Sequence, residues 1–284
     1  MLYLVATPIG NILDITLRAL DTLEECNIIL CEDTRVTKKL IGLLNSRNLL
    51  KNQNFKFISF HSHNAKKRLD EMGVEFFNQK IAFLCDAGMP CISDPGAILA
   101  RFMQENNLPY TIIPGPSSVL SVFALSGFEG KEFCFFGFLP HKLHDKKKMI
   151  MEILQCKFIS IFFESPYRIL NTLDLLSSLA PKRNIFIAKE ITKIHEKFYF
   201  GKIEDAYFKI KSSNTKGEWV LALDSNNSLA NNSPSNNSPL PSLSILDIEN
   251  LSLPPKIKAK LLSLLSGKKT SECYENIINA SKNL

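Results

Sequence analysis

The first 113 residues alternate short apolar segments with segments of helical character, and this alternation restricts the possible folds more than any other feature. Strands are predicted at residues 2–6, 27–31, 55–60, 81–85 and 110–113. The segments between them predict helices at residues 14–26, 36–44, 65–78 and 97–105. Repeated strand–helix units predict an α/β domain, residues 1–113, whose mainly parallel sheet carries helices on both faces.

The pattern changes after Pro114-Gly115-Pro116, and we place a domain boundary between residues 113 and 114. A helix is predicted at residues 117–126, and Ser165-Pro166 predicts a further helix start with Ser165 as N-cap. Strands now follow one another, at residues 133–138, 158–163, 184–192, 197–201 and 218–223. This second domain, residues 114–224, is therefore predicted to be α+β with antiparallel pairs in a mixed sheet.

The last 60 residues differ in composition from the rest of the chain. Residues 225–245 consist largely of Asn, Ser and Pro, which bury too little apolar surface to fold, so we predict a linker. Residues 246–284 are basic and Leu-rich, and they predict a helical tail.

Bulk properties narrow the functional class. No apolar run reaches the length of a membrane span, and the N-terminus enters a strand without a basic leader, so we expect a cytoplasmic protein without a membrane partner. The seven cysteines include no CxxC pair, which favours reduced thiols over a disulfide or zinc framework. A formal charge of +6 is compatible with a polyanionic partner.

Polar clusters follow four of the predicted strands, at residues 7–11, 32–35, 61–64 and 86–96. Because parallel strands end at one edge of a sheet, these loops are expected to form one shared site. The loop 86–96 contains two carboxylates, two prolines and two glycines, which give it a defined shape. Its alternative role is a turn that only reverses the chain.

Each cluster also has a structural interpretation. Glu32, Asp33 and Arg35 fit either the site or a structural ion pair. Asp86 fits a hydrogen-bond acceptor for ligand hydroxyls or a cap for its own loop. His61 and His63 alternate along an extended segment, but the sequence offers no convincing third ligand, so no metal is predicted.

Several common signatures are missing. The chain contains neither GxxxxGK[ST] nor GxGxxG, and it has no nucleophile elbow. An ordinary Rossmann methyltransferase, a dehydrogenase and a Ser-His-Asp hydrolase are therefore unsupported. Basic clusters at residues 66–68, 142–148 and 256–260 fit either solvated faces or contacts with nucleic acid.

Taken together, the motifs resemble the two-domain tetrapyrrole methylase superfamily, and within it the branch acting on ribosomal RNA. The matching segments are residues 4–11, 14–16, 31–35, 61–64, 86–90, 93–96, 114–117, 137–140, 164–168, 188–190 and 216–218. They follow the family's order over residues 2 to 224, whereas the tail matches only loosely and the linker matches nothing.

This resemblance implies S-adenosylmethionine bound between the two domains without a GxGxxG loop. The implied cofactor contacts are Pro8, Cys85, Asp86, Met89, Ser117, Ser118 and Phe163. A sulfonium cofactor carries its own leaving group, so the protein mainly aligns and desolvates the reactants.

The implied reaction is 2′-O-methylation of a cytidine in small-subunit (16S) ribosomal RNA, free or within the assembled subunit, by a homodimer. Glu32 is the first candidate for a general base and His61 the second. The implied substrate contacts are Asp33, Arg35, His63, Arg168 and Lys189.

Three other functions remain open at the level of sequence. The first is methylation of a tetrapyrrole or another small molecule by the same fold. The second is RNA binding without catalysis. The third is a metal-dependent nuclease that uses Glu32, Asp33 and Asp86.

Overall fold

The computed structural model describes residues 1–225, 248, 253–267 and 269–282. The chain forms two compact units, Met1–Asn226 and Asn227–Leu284. The predicted linker lies outside the described residues except for Ser225. No helix within the described ranges combines the length and the apolar character that a membrane crossing needs.

The first half of the larger unit is built on a five-stranded parallel sheet. Its strands are β1 (Leu2–Val5), β2 (Ile28–Cys31), β3 (Lys56–Ser59), β4 (Ile81–Leu84) and β5 (Tyr110–Ile113). Their order is β3-β2-β4-β1-β5, and every neighbouring pair is parallel. The carboxyl ends of β1, β2, β3 and β4 therefore share one edge, which confirms the predicted arrangement.

Helices cover both faces of this sheet. They are α1 (Leu17–Glu25), α2 (Thr34–Ser46), α3 (Ala65–Met72) and α4 (Gly96–Glu105). Alternate residues of the strands face opposite sides: Ile29 packs with α1 and α2, whereas Leu30 packs with α3 and α4. Both faces are apolar in the middle of the sheet, where β2 and β4 are buried on two sides, whereas the edge strands β3 and β5 are partly exposed.

Two predicted helices are shorter than their sequence patterns indicate. The helix predicted at 14–26 begins only at Leu17, because the Thr16 hydroxyl accepts a hydrogen bond from the backbone N–H of Ala19 at 3.1 Å and caps α1 there. A 3₁₀ turn (Ile12–Asp14) precedes it. The helix predicted at 65–78 ends at Met72, since Gly73 takes a left-handed φ of 62°. A 3₁₀ turn (Glu75–Asn78) follows it.

The second half carries a mixed five-stranded sheet, as predicted. Its strands are β6 (Phe133–Phe138), β7 (Ile159–Glu164), β8 (Asn184–Lys189), β9 (Lys197–Lys202) and β10 (Trp219–Leu223). Their order is β6-β7-β10-β8-β9, in which only β6 and β7 are parallel neighbours.

Four helices surround the second sheet, namely α5 (Ser118–Ser126), α6 (Leu143–Gln155), α7 (Ile169–Leu179) and α8 (Ile203–Lys211). Val119 and Val122 of α5 pack on one face of the sheet, and the other three helices share a second apolar cluster. The predicted boundary at 113/114 falls between β5 and α5. As a domain boundary it stays a prediction.

The predicted helix start at Ser165-Pro166 is wrong by three residues. Helix α7 begins at Ile169, and the Ser165 carbonyl accepts hydrogen bonds from the N–H groups of Arg168 and Ile169, each at 3.0 Å. The Ser165 hydroxyl accepts from the side chain of Arg168 at 3.1 Å, and the N-cap position of α7 is Arg168 itself, without a side-chain cap. Residues 165–168 instead form a separate turn.

The C-terminal unit contains α9 (Pro255–Ser266) and α10 (Thr270–Lys282), which agrees with the predicted helical tail. Its apolar cluster includes Ala259, Leu262 and Cys273. Gly267 takes a left-handed φ of 71° and ends α9.

Replacing Gly10 with Ala is expected to destabilise the larger unit. Gly10 lies against the loop after β8, where an added Cβ would come within 2.6 Å of Thr192 Oγ1 and 2.9 Å of the Ile191 carbonyl. Overpacking of this kind costs about 1–3 kcal/mol of unfolding free energy, measurable by urea denaturation.

The matched control is Gly42→Ala on α2, where an added Cβ meets nothing within 4 Å. A helical Gly-to-Ala change without steric conflict is expected to stabilise by up to about 1 kcal/mol. Equal behaviour of the two variants would contradict the close approach at Gly10.

Candidate active site

A cavity of about 440 Å³ lies between the edges of the two sheets within the larger unit. The first half lines it with Ile9 after β1, Glu32 after β2 and the loop from Cys85 to Asp94 after β4. The second half lines it with residues from α5, β6, β7 and β10 and from the loop after β8. Strand ends from both sheets thus converge on one space. Three of the four predicted polar clusters contribute to its lining, whereas the cluster at 61–64 does not.

The loop after β4 has a fixed shape at the cavity. Thr7 and Gly88 form an isolated antiparallel bridge, with N–H···O distances of 3.0 and 3.1 Å. Gly88 takes a φ of 83°, and an added Cβ would lie 3.2 Å from Ile9 Cγ2. Because residues of this loop line the cavity, it does more than reverse the chain.

Asp94 holds the far end of the same loop. Its Oδ1 accepts hydrogen bonds from the N–H groups of Cys91 at 3.0 Å and Gly96 at 2.7 Å. Cys91 lies in the left-handed region with a φ of 70°. A non-glycine residue rarely takes this conformation, so the Asp94 hydrogen bonds help to hold it.

Carboxylates concentrate on the first-half side of the cavity, where Glu32, Asp86 and Asp94 all belong to the lining. Burial, followed by the charges of Asp86 and Asp94, raises the pKa of Glu32 above its ordinary value. Burial also raises the pKa of Asp86 and of Asp94. A carboxyl group with a raised pKa is better matched to proton transfer near neutral pH.

Asp33 and Arg35 form the ion pair considered at the level of sequence. Their closest N···O distance is 2.6 Å, and the side chain of Arg35 is 89% exposed. Asp33 also accepts from the backbone N–H of Arg35 at 2.8 Å and thereby caps α2. Hydrogen bonds from Arg35 lower the pKa of Asp33 to about 2. Neither residue belongs to the cavity lining, although the Asp33 N–H donates to Asp86 Oδ1 at 3.2 Å.

His61 and His63 lie outside the lining, at the end of edge strand β3. Their ring centroids are 6.0 Å apart, and His63 is exposed. His61 Nδ1 is buried without a hydrogen-bond partner. Neither ring is therefore among the groups that the structure brings to the cavity, although β3 is the direct neighbour of β2, the strand that Glu32 follows. Among the described residues, no three His, Cys, Asp or Glu side chains are grouped closely enough to hold a metal.

Of the residues predicted to contact a cofactor, six line the cavity: Cys85, Asp86, Met89, Ser117, Ser118 and Phe163. The seventh, Pro8, is half-buried and lies outside the lining. The Cys85 thiol donates to the Gly88 carbonyl at 3.4 Å, and burial raises the pKa of Cys85 to about 12. Ser117 caps α5 by accepting from the Leu120 N–H at 3.4 Å.

The charge and the predicted placement of Arg168 and Lys189 suggest substrate contacts, but the structure places both cations among protein groups. Lys189 is 7% exposed, donates to the Asn214 carbonyl and lies 5.3 Å from the centre of the Trp219 ring. Arg168 Nη1 donates to the carbonyls of Leu139 at 2.8 Å and Pro140 at 3.2 Å. A substrate contact by either residue stays a prediction. The contacts of both cations with other protein groups argue against it.

Sequence reasoning missed the buried carboxylate of Glu164, which also lines the cavity. Its fully buried side chain lies 3.1 Å from Lys146 Nζ and 2.8 Å from Arg168 Nη2, and it accepts from the Thr172 hydroxyl at 2.6 Å. Lys146 is likewise buried, so one member of the basic cluster at 142–148 is not a solvated charge. The available signal was a carboxylate at the end of an apolar strand, four residues before an arginine.

Other missed lining residues belong to apolar segments, where sequence suggests only core packing. They are Val119, Phe138, Ile191, Trp219 and Val220, all from the second half. Glu218, next to Trp219, also lines the cavity. Together they make the second-half wall mainly apolar and aromatic, opposite a carboxylate-rich wall. Such a cavity suits a ligand with an apolar ring and polar or cationic groups.

A family model for tetrapyrrole (corrin/porphyrin) methylases matches residues 1–207 of this chain. The chain belongs to this family. Solved structures of the same fold include diphthine synthase, with a TM-score of 0.61 at 11% identity over 79% of this chain and 90% of that one. The methyltransferase CobJ gives 0.57 at 15% identity over 79% and 94%. Both likenesses concern the fold alone.

Curated relatives of this chain are much more similar to it in sequence than these solved structures are. "Ribosomal RNA small subunit methyltransferase I" of Helicobacter pylori J99 is 40% identical over 96% of both chains. The protein of that name from Campylobacter fetus is 40% identical over 98% of this chain and 100% of its own. The one from Thermotoga maritima is 40% identical over 78% of this chain and 97% of its own. The chain is therefore an enzyme of the methyltransferase class.

Replacing Glu32 with Gln is expected to raise the stability of the protein at neutral pH. A raised pKa means that the folded state keeps the proton at pH values where the unfolded chain has lost it. Wild-type stability therefore falls as pH rises from the ordinary value of 4.5 through the raised pKa. The gain from Glu32→Gln is complete above that window and vanishes below it, as measured by urea unfolding across pH.

The neighbouring variant Asp33→Asn should shift stability the other way. The lowered pKa of Asp33 means that its charged form stabilises the fold, and this contribution is lost as pH falls toward about 2. Asp33→Asn is therefore expected to lower stability at neutral pH and to match wild type in strong acid. If both variants changed the free energy of unfolding in the same direction at neutral pH, the opposite pKa shifts of Glu32 and Asp33 would be contradicted.

Proposed function

We propose that the protein transfers a methyl group from S-adenosylmethionine to the 2′-hydroxyl of a cytidine in small-subunit ribosomal RNA. The observation that carries this proposal is the near-full-length similarity, at about 40% identity, to two proteins named as small-subunit ribosomal RNA methyltransferases. The cavity with one acidic and one apolar wall supports it independently.

The lining residues fit the proposed cofactor. Phe163 and Val220 offer apolar contact for a purine ring, and Asp86 offers an acceptor for ribose hydroxyls or an amino group. Ser117 and Ser118 are small residues at the first turn of α5, so their backbone allows a ligand to approach closely. When bound, S-adenosylmethionine supplies an electrophilic methyl group on a sulfonium sulfur. Carboxylates at Glu32 and Asp86 complement that positive charge.

The protein's own contribution is positioning and proton removal. Glu32 is the cavity-lining carboxylate that follows β2, and its raised pKa makes it a stronger base than an ordinary glutamate. We assign Glu32 as the group that accepts the proton of the attacking hydroxyl. His61 lies outside the lining, which makes it the weaker candidate.

A second function, methylation of a tetrapyrrole or another small molecule, is favoured by one observation. The matching family model is named for corrin and porphyrin methylases. The structural relatives that share the fold are only 15% and 11% identical in sequence. The much closer sequence relatives therefore favour RNA.

The deciding experiment supplies the purified protein with isotopically labelled methyl donor and three acceptors: small-subunit ribosomal RNA, assembled small subunits and a tetrapyrrole. We expect label at one cytidine ribose of the RNA, mapped by nuclease digestion and mass spectrometry. Label on the tetrapyrrole alone would overturn the proposal. RNA binding without calorimetric affinity for the donor would indicate a protein that binds RNA but does not methylate it.

Glu32→Gln is expected to lower the single-turnover rate of methyl transfer by about 10²- to 10⁴-fold, the usual contribution of a general base. The wild-type rate should rise with pH through the raised pKa of Glu32, because only the carboxylate accepts a proton. The variant should lose this dependence.

Glu25→Gln is the control, since Glu25 is exposed and pairs with Lys80 at 2.7 Å away from the cavity lining. A wild-type rate in Glu32→Gln would remove Glu32 as the base.

The exposed lysines of α6 are expected to bind phosphates of the RNA. Lys147 and Lys148 are exposed and adjoin Lys146, whose ammonium group reaches the cavity-lining Glu164. Replacing each with Ala should reduce the slope of log affinity for RNA against log salt by about 0.7 for every phosphate that the protein no longer neutralises.

The comparison variant replaces Lys66 and Lys67, an equally exposed pair on α3. Because α3 packs on the first sheet, outside the cavity lining, its loss of charge should leave the slope unchanged. Equal slopes for wild type and the α6 variants would contradict the proposed placement of RNA.

Cellular location and assembly complete the proposal: a cytoplasmic homodimer that acts on free RNA or on the assembled subunit. Sedimentation equilibrium measures the assembly, and a monomeric mass at working concentration would contradict the homodimer. Comparing free RNA with assembled subunits in the transfer assay identifies the substrate form.

A further inference from the structure

The turn at residues 165–168 holds an aromatic ring in water beside the cavity. Ser165 and Pro166 line the cavity, and the side chain of the next residue, Tyr167, is 94% exposed. No hydrogen bond or ring contact joins Tyr167 to the described residues. Because a side chain this exposed buries little surface, Tyr167 adds little to the stability of the fold. Its ring is instead free to contact a ligand or partner.

The turn that carries Tyr167 is fixed on both sides. The Ser165 N–H donates to Glu164 Oε1 at 2.8 Å, and Arg168 binds Glu164 Oε1 at 2.8 Å from the other end. Arg168 also ties the turn to the loop after β6 through the Leu139 carbonyl at 2.8 Å. The backbone of Tyr167 is therefore ordered before any ligand arrives, which lowers the entropic cost of binding.

Positive charge and a second aromatic residue adjoin this turn. Lys146 reaches Glu164 at 3.1 Å, so α6 lies next to the strand that leads into this turn. Exposed Lys147 and Lys148 follow Lys146 on α6. Phe138, which lines the cavity, is 58% exposed. Aromatic faces next to a cationic surface are the combination that binds single-stranded nucleic acid.

The proposed reaction requires a nucleotide to leave its stack. A ribose hydroxyl inside a base-paired helix cannot enter a cavity of this kind, so the ribose must be turned out with its base. The base then meets the cavity mouth, where Tyr167 and Phe138 are exposed. We propose that Tyr167 stacks on a base of the RNA substrate, at or next to the methylated nucleotide. This inference rests on the proposed function.

The test compares Tyr167→Ala with Tyr167→Phe in RNA binding and methyl transfer. Stacking on one base accounts for a change in affinity of about 5- to 140-fold. Tyr167→Ala should raise the Kd and the KM for RNA by that factor, and Tyr167→Phe should remain near wild type. The calorimetric affinity for S-adenosylmethionine should be unchanged, since Tyr167 lies outside the lining. The salt slope should also be unchanged, because no charge is removed.

The matched control is Phe208→Ala, which removes an aromatic side chain that is 58% exposed on α8, a helix outside the cavity lining. It should bind RNA like wild type. Wild-type affinity in Tyr167→Ala would overturn the inference, as would equal losses in the Ala and Phe variants. A change in sedimentation mass in Tyr167→Ala would show that the ring contacts a second copy instead. Absence of methyl transfer by the wild-type protein would overturn the proposed function. The comparison of RNA affinities would still test whether Tyr167 stacks on a base.

Discussion

Parallel pairing of the first sheet is the constraint on which the site depends. Strand β1 lies between β4 and β5, and β2 follows on the other side of β4, so the loops after β1, β2 and β4, which line the cavity, leave side by side at one edge. The Thr7–Gly88 bridge then joins two of these loops directly. A shift of one residue in the pairing of β1 or β4 would turn the buried side chains of that strand to the opposite face of the sheet. It would also displace the cavity-lining loop that follows that strand.

The two halves of the cavity handle charge in opposite ways. The first half places carboxylates in the cavity wall with few compensating cations. Burial therefore raises the pKa of Glu32 and of Asp86 above their ordinary values. The second half buries Glu164 but gives it two cations and a hydroxyl. The carboxylates of the first half can therefore interact with a ligand. The charge of Glu164 is instead neutralised by Lys146 and Arg168, which helps to hold the backbone around it in place.

Much of this architecture could be predicted from sequence because strands and their loops have local signals. Apolar runs located every strand of both sheets, and the polar clusters at their ends located Glu32, Asp86 and the loop after β4. Arg168 and Lys189 show the limit: their charge suggested a substrate, but only tertiary packing reveals that each is paired inside the protein. Glu164 and Trp219 were not predicted as cavity residues for the same reason, since no local sequence signal distinguishes a residue in a cavity wall from one in the core. Helix ends depended on single contacts, such as the hydrogen bond between the Ser165 hydroxyl and Arg168.

The protonation state of the Cys85 thiol matters in an enzyme of the methyltransferase class. A thiolate is a far better nucleophile than a hydroxyl and would capture the methyl group itself. At a pKa of about 12, with its proton directed at the Gly88 carbonyl, Cys85 is almost entirely uncharged at neutral pH. The same burial that packs this side chain into the cavity wall thus keeps the thiol in its uncharged, weakly nucleophilic form.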